Sequence, residues 1–494
     1  MRGTLTVGTM TEHAIDERYY LATIAKVGAG NPVMGHASYL EHRADAPSAS
    51  LAPAAEGLLM RWLGLSLPFT LLLGDILFPF LTVLLLALGL RMLFGGSALL
   101  SAAAAVFVGS DIGTYWLRSA NPQIPFVAVA GWLALVFTLP LLSRRSFVLR
   151  ALVVGLLSWV QLVYASFFLI ADGVLTLSEM IRQRKIRQAV PGIALYGAVF
   201  ILSVLPRLFL GLPPEVATDT FYRLGIIHTH APAAPQMQMF LWGILAALLL
   251  ARRFWKGWMT EGMWRCTLLI IAALVGLNQS VIHGIDATFV SYYQPAIRIV
   301  VLQTFLGGVF ALVRSEKMRR ILLLGVSGIS LVAMMFSVYA FKMQAQAEAD
   351  ALAQSDVPAV LEWLRAQPGP LAIAAPNSLN ERIPAETPHY VLFNEYGWNQ
   401  PMSDRELAER YALQARLVPS SVAREKTYTF VFGGHAGLQA AKERTLCKIL
   451  RRIGMGDGPC DTQARSLIRH QELLPIVDNA ETDVSQALKK FHVT

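Results

Sequence analysis

The sequence FTLLLGDILFPFLTVLLLALGLRMLFG, residues 69–95, is an apolar run in which Asp75 is the only acidic residue. A helix of about 20 apolar residues crosses the hydrocarbon core of a bilayer, which is about 30 Å thick. This run is therefore predicted to be a transmembrane helix. Further apolar runs follow at 97–110, 124–143, 147–162, 163–179, 189–207, 238–252, 265–281, 294–313 and 320–341. We predict an all-α polytopic membrane protein with about ten transmembrane helices, in which 147–179 is either two helices or one long, bent helix.

The composition agrees with a chain that is solvated mainly by lipid. The 494 residues are 54% hydrophobic and only 15% charged, whereas a soluble domain carries about 25% charged residues. The net charge of +9 could suggest nucleic acid as a partner. However, the Lys and Arg residues lie in short clusters between the apolar runs, which is typical of a membrane protein. We therefore expect the lipid bilayer, and no nucleic acid, as a partner.

The basic residues occupy every second loop. They are Arg91; Arg144, Arg145 and Arg150; Arg182, Arg184, Lys185 and Arg187; Arg252, Arg253, Lys256 and Arg265; and Arg314, Lys317, Arg319 and Arg320. Basic loops stay in the cytoplasm, because their translocation is disfavoured. If 147–179 crosses twice, both ends of the chain are extracytoplasmic, and the protein is expected in the plasma (inner) membrane. Residues 1–20 contain no apolar run of the kind a signal peptide needs.

Three segments are predicted along the chain. Residues 1–68 form a first extracytoplasmic loop, in which 56–67 is an interfacial amphipathic helix, and residues 69–342 form the multi-helix membrane domain. Residues 343–494 are more polar and form a small soluble α/β domain, with strands at 371–376, 390–396 and 428–433 and a helix at 403–418. If this domain is extracytoplasmic, Cys447 and Cys460 can form a disulfide. Two unpaired thiols are the alternative.

The first loop contains an acidic pair that is followed by two aromatic residues. Asp16 and Glu17 precede Tyr19 and Tyr20, and in a helix Asp16 shares a face with both tyrosines. A carboxylate held close to the membrane could deprotonate an acceptor hydroxyl or hold a divalent cation such as Mg²⁺ or Mn²⁺. The alternative is a solvated helix start with no chemical role.

The motif D-E-x-Y-Y-L-A at 16–22 resembles the acidic first loop of the GT-C glycosyltransferases. These polytopic enzymes, which are related to protein mannosyltransferases and aminoarabinose transferases, take a sugar from a polyprenyl-phosphate carrier. The resemblance implies that Asp16 is a catalytic base or metal ligand, with Glu17 beside it and Asp111 as a second acid. The interfacial helix and the soluble C-terminal domain also resemble that family. Family members begin with a membrane helix before the acidic loop, and residues 1–68 contain none.

Cationic side chains in the predicted outer loops could bind the carrier phosphate. Arg118, Arg223 and His283 lie in these loops, and Arg298 lies about one turn inside an apolar run. A guanidinium matches phosphate oxygens with a fork of donors, and an intramembrane arginine usually faces a partner or a water-filled cavity. Tyr19 and Tyr20 complete the predicted substrate contacts. For each residue, an ordinary loop or snorkelling role is the alternative.

Two rival functions stay open at this point. A transporter or flippase of a lipid-linked sugar would carry its key charges near the bilayer midplane, often in repeated halves, and no internal repeat is evident. A non-catalytic membrane scaffold would bind a partner through its C-terminal domain. The sequence does not identify the sugar, the acceptor (lipid, glycan or protein) or the oligomeric state.

Overall fold

The fold is predominantly helical. The computed structural model describes residues 15–31, 37–42, 51–93, 98–110, 120–184, 186–209, 216, 219–220, 223, 226–228, 235–254, 260–283, 285–287, 290–313, 315–394, 402–418, 471–477, 488–491 and 493.

The helices of the N-terminal half are α1 Ile15–Gly28, α2 Ala52–Leu63, α3 Leu67–Leu90, α4 Ala98–Ser110, α5 Ala120–Thr138, α6 Arg144–Val160, α7 Leu162–Gln183 and α8 Ile186–Phe209. The elements that follow are β1 Ile226–His228, α9 Pro235–Phe254, α10 Glu261–Leu277, α11 Gln279–His283, β2 Ile285–Ala287, α12 Val290–Leu312 and α13 Glu316–Ala353. The C-terminal elements are α14 Val357–Arg365, β3 Ala372–Ile373, α15 Asn377–Asn380, α16 Arg382–Glu386, β4 Tyr390–Val391 and α17 Asp404–Leu417.

Four helical segments in the described residues are long and apolar enough to cross a membrane. They are Leu67–Leu90, Tyr164–Gln183, Gln236–Phe254 and Gln294–Leu312, and two shorter apolar helices are Gln123–Thr138 and Ala189–Leu205. Each predicted apolar run corresponds to a helix. The number that meets the length and composition needed for a span is nevertheless smaller than the predicted ten.

Residues 147–179 form a helical hairpin. The backbone of Gln161 is extended, and it separates α6 from α7. Arg150 and Asp172 each lie 11 residues from Gln161, and their side chains form an ion pair. At 1.5 Å per residue, two positions about 16 Å from one break can meet only if the two helices run back along each other. The alternative of a single bent helix is therefore excluded.

Contacts between non-neighbouring segments join several basic loops at one end of the bundle, here called the basic end. Arg182 at the end of α7 pairs with Glu261 at the start of α10. From α10, Arg265 donates to the carbonyl oxygen of Leu139, which follows α5, at 3.3 Å.

At the opposite end of the bundle, a second set of segments meets. The amide of Leu51, just before α2, donates to the carbonyl of Trp159 beside the hairpin turn at 3.0 Å. Strands β1 and β2 pair antiparallel, so the segment after α8 meets the segment before α12. The alternation of basic and non-basic loops predicted from the sequence corresponds to these two ends.

The C-terminal region differs from its prediction in two ways. Helix α13 spans 38 residues without a break, about 57 Å, so the predicted boundary at 342/343 falls inside a helix. The predicted helix at 403–418 is present as α17, which begins with an N-cap in which the Ser403 hydroxyl accepts from the amide of Glu406. Strands β3 and β4 form only a two-residue parallel pair within the predicted strands 371–376 and 390–396. Helix therefore predominates over strand in the described part, and 428–433 lies outside it, so the α/β class of the whole C-terminal region stays a prediction.

Candidate functional site

Helix α1, which carries the acidic motif, is held between α2 and the C-terminal region. Leu21, Ile24 and Val27 cluster with Leu71 of α3 and Ala385 of α16. Positions 21–24, 26 and 27 are all buried, so this part of the helix is covered on every side. The alternative of a solvated helix start concerns Asp16 and Glu17, whose side chains lie outside the described structure, and it stays open.

A glycine allows the close approach of α2 to α1. A Cβ at Gly57 would lie 2.8 Å from the carbonyl oxygen of Ile24 and 2.8 Å from Cβ of Val27. Any side chain at this position would push the two helices apart.

Lys26 links α1 to the C-terminal region through its ammonium group. Its Nζ donates to the carbonyl oxygens of Thr387 at 2.9 Å and His389 at 2.7 Å. It also lies 4.3 Å from the centre of the Tyr390 ring. Burial lowers the pKa of Lys26 to about 7, while the carbonyls and the ring favour the charged form. The ammonium therefore ties α1 to the backbone of the C-terminal region.

The segment 37–42 also packs on the C-terminal region. The carbonyl of Ser38 accepts from the amide of Val391 at 2.8 Å, which extends the contact beside β4. Glu41 pairs with the buried guanidinium of Arg410 at 2.9 Å, and this guanidinium stacks 4.7 Å from the Tyr39 ring.

A second ion pair joins this segment to α17. His42 Nε2 lies 2.7 Å from Glu406 Oε1. Burial alone would raise the pKa of Glu406, but the hydrogen bond to His42 and the charge of Arg410 lower it to about 2. The first loop and the C-terminal region thus share an interface with several charged contacts.

Arg223 holds the segment after α8 on the same C-terminal region. Its buried guanidinium pairs with the Asp404 carboxylate and donates to the carbonyl of Met402 at 2.7 Å. Burial lowers the pKa of Arg223 to about 10, with the Asp219 carboxylate opposing the shift. Through these contacts Arg223 anchors the segment after α8 to the C-terminal region. A phosphate could reach this side chain only if the interface opened.

Two carboxylates and an amide gather where α2, α3 and α5 meet. Gln123 donates to Asp75 at 2.7 Å, which confirms the interpretation of Asp75 as a residue that hydrogen-bonds between helices. Glu56 is buried, and a Cβ at Gly74 would lie 3.1 Å from its Oε1. The burial of Glu56 was not predicted from the sequence, because an acid in an amphipathic helix usually faces solvent.

The acidic motif lies in the first turn of α1, which begins at Ile15. The side chains of Asp16, Glu17 and Tyr19 lie outside the described structure, and Tyr20 is half-buried. Asp111, Arg118, Cys447 and Cys460 also fall outside the described residues, so the predicted second acid and the predicted disulfide stay predictions.

Of the other predicted phosphate ligands, His283 is the last residue of α11, just before β2. The register of β1 and β2 places Ile227 opposite Asp286 and His228 opposite Ile285, which is two residues after His283. Arg298 is exposed although Ile297 and Ile299 on either side are buried. It is the fifth residue of the membrane-length segment that begins at Gln294, so it lies near the opposite end of the bundle.

Asp172 is the centre of a buried polar network within the bundle. Its carboxylate pairs with Arg150 and accepts from the Tyr196 hydroxyl at 2.7 Å and from Trp132 Nε1 at 3.2 Å. Arg150 also donates to the carbonyl of Leu141 at 2.9 Å. The network ties together α5, α6, α7 and α8, and each charge in it is satisfied.

Among the described residues, no three His, Cys, Asp or Glu side chains come close enough together to hold a metal ion. No protein-family model matches the chain, and no curated protein is significantly similar to it in sequence.

Proposed function

We propose that the chain is a membrane glycosyltransferase of the GT-C type, which moves a sugar from a polyprenyl-phosphate donor to an acceptor on the extracytoplasmic face. The observation that carries this proposal is the setting of α1. The helix that begins with Asp16 and Glu17 is enclosed by α2 and the C-terminal region, at the end of the bundle opposite the basic loops. An exposed acidic tail would not require such a support.

In the proposed reaction, Asp16 takes the proton of an acceptor hydroxyl as the hydroxyl oxygen attacks the anomeric carbon. The bond between that carbon and the carrier phosphate breaks with inversion, and the electron pair leaves on the phosphate. General-base assistance of this kind contributes about 10²- to 10⁴-fold to a rate. Glu17 and Asp111 are proposed as neighbouring acids. A divalent cation, Mg²⁺ or Mn²⁺, held by Asp16 is the alternative role for this carboxylate.

Arg298 is the proposed partner of the carrier phosphate. Its exposure one turn inside a membrane-length segment would put a guanidinium at the depth of a lipid phosphate. A fixed cation there would stabilise the charge on the departing phosphate. Arg118, His283, Tyr19 and Tyr20 stay proposed substrate contacts. Arg223 is assigned to the interface instead.

We also propose a specific membrane topology for the chain. It requires about ten helices in the membrane domain, some of them short, and a soluble C-terminal domain of α/β type on the extracytoplasmic side of the inner membrane. The meeting of the first loop, the segment after α8 and the C-terminal region at one end supports this arrangement. A Cys447–Cys460 disulfide belongs to the same proposal.

The test is a transfer assay with purified protein in lipid nanodiscs and a labelled polyprenyl-phosphate sugar. We expect Asp16→Asn to lower the rate of transfer at least about 10²-fold. The matched control is Asp350→Asn, which removes an exposed carboxylate from α13 and is expected to retain the wild-type rate. An Asp16→Asn protein that transfers as fast as wild type, or two variants that lose activity equally, would contradict the assignment.

The transporter alternative has one observation in its favour, the buried Arg150–Asp172 pair, because intramembrane charges often mark transport pathways. A transporter would move the labelled lipid across a vesicle membrane without cleaving it. The scaffold alternative predicts neither movement nor cleavage, and no effect of Asp16→Asn in any transfer assay.

A further inference from the structure

A groove of about 710 Å³ opens at the basic end, between α7, α9 and α10. One wall is formed by Val174, Leu177 and Ile181 of α7, and the other by Leu268 and Ile271 of α10. The spacing of three or four residues puts each set on one face of its helix. Leu177 and Ile181 are 58% and 63% exposed, so the groove is open to the surroundings of the bundle, and its walls are apolar.

The length of the groove matches one leaflet of a bilayer. Along α7 it extends from Val174 to Arg182, about 12 Å, and along α10 from Glu261 to Ile271, about 15 Å, at 1.5 Å per residue. Half of the hydrocarbon core is about 15 Å. One acyl chain can therefore lie along the groove with its polar end at the basic loops.

The polar end of the groove carries a surplus positive charge. The two carboxylates of Glu179 and Glu261 are neutralised by Arg182 and Arg265. Arg252 lies 5.4 Å from the centre of the Trp264 ring. Among the residues that the structure describes, no carboxylate forms an ion pair with Arg252. Its guanidinium is thus available to an anion at the mouth of an apolar groove.

We propose that this groove binds an anionic phospholipid of the leaflet at the basic end. The acyl chain lies between α7 and α10, and the phosphate lies beside Arg252. Basic pockets between membrane helices are known to bind acidic lipid head groups. The proposed site lies at the end of the bundle opposite the proposed transfer site. It holds whether or not the chain is a transferase.

The test compares phosphatidylglycerol with phosphatidylcholine carrying the same acyl chains. Binding of each lipid to delipidated wild-type protein is measured by native mass spectrometry. We expect phosphatidylglycerol to bind at least about fivefold more tightly, the contribution of one arginine near a lipid phosphate. Arg252→Gln should bring the two affinities close together. The matched control is Arg320→Gln, an exposed arginine that pairs with Glu316 outside the groove, and it should retain the preference.

A second variant tests the groove itself. Leu177→Trp fills the space between the walls. The fold should tolerate this substitution because the position is exposed, and the tight binding of phosphatidylglycerol should be lost. Equal affinities of wild type for the two lipids would overturn the proposal. The proposal would also be overturned if Arg252→Gln and Arg320→Gln lost the preference for phosphatidylglycerol equally, or if Leu177→Trp bound phosphatidylglycerol as tightly as wild type. If polyprenyl phosphate displaced phosphatidylglycerol and itself required an unfilled groove, the assignment to a phospholipid would be wrong.

Discussion

Breaking the Arg223–Asp404 pair should release the segment after α8 from the C-terminal region. The guanidinium side chain is fully buried and the Asp404 side chain is 8% exposed. In Arg223→Met, the Asp404 carboxylate would stay buried without its cation. Removal of one partner from a buried pair costs about 3–5 kcal/mol. At about 1.4 kcal/mol per factor of ten, the open state should become at least about 10²-fold more populated.

Hydrogen exchange at the Asp404 amide measures this opening. That amide donates to the Asp219 carboxylate at 2.9 Å, so its protection depends on the contact between the two segments. Arg223→Met should lower the protection by at least about 10²-fold, and Arg223→Met with Asp404→Leu should recover most of it, because no charge is then left buried.

The matched control is Arg405→Met, which removes a 78% exposed partner of Glu409 in the same helix. It should change the protection by no more than about fivefold. If Arg223→Met lowered the protection of the Asp404 amide no more than Arg405→Met does, the contact between the two segments would not depend on the Arg223–Asp404 pair.

Three further predictions concern the interface of the first loop. The free energy of unfolding should fall between about pH 4.5 and pH 2, because the lowered pKa of Glu406 contributes stability above its unfolded value that is lost as the carboxyl is protonated; Glu406→Gln should remove this acid step in thermal unfolding measurements. The lowered pKa of Lys26 acts in the other direction: the cost of burying the ammonium is present below pH 7, and stability should rise from about pH 7 to 10.5. In Lys26→Met the unfolding midpoint should lose this alkaline rise, and a retained rise would exclude Lys26 as its source. Gly57→Val should destabilise the contact of α1 with α2 by about 1–3 kcal/mol through overpacking, whereas Gly173→Ala, with open space around its position, should stay within about 0.5 kcal/mol of wild type; equal melting of the two variants would contradict the close approach.

The helices of the membrane domain were predictable from the sequence, because each corresponds to an apolar run. The bounds of α3 and α10 differ from the predicted runs by only a few residues. The boundary of the C-terminal region at 342/343 stays a prediction, because α13 continues from apolar into polar sequence without a break. Hydropathy detects where the sequence changes from apolar to polar, but the backbone hydrogen bonds of a helix can continue across that point.

The long-range partners could not be predicted. Arg223 was predicted as a phosphate ligand, yet its partner Asp404 lies 181 residues further along the chain. The hairpin at Gln161 has no Gly or Pro at the break, so the local sequence does not distinguish two helices from one. The burial of Glu56 likewise depends on the tertiary contact of α2 with α3. In each case the decisive energy comes from a contact between segments, which local sequence does not encode.

We propose that the chain breaks the bond between a sugar and a polyprenyl phosphate. The most direct measurement is the amount of free polyprenyl phosphate that purified wild-type protein releases from a labelled polyprenyl-phosphate sugar, with extracted envelope lipids and glycans as acceptors. If the chain is a transferase, polyprenyl phosphate accumulates in step with the label on an acceptor. Label that stays on the polyprenyl phosphate, even where the intact lipid has crossed the membrane, would contradict it.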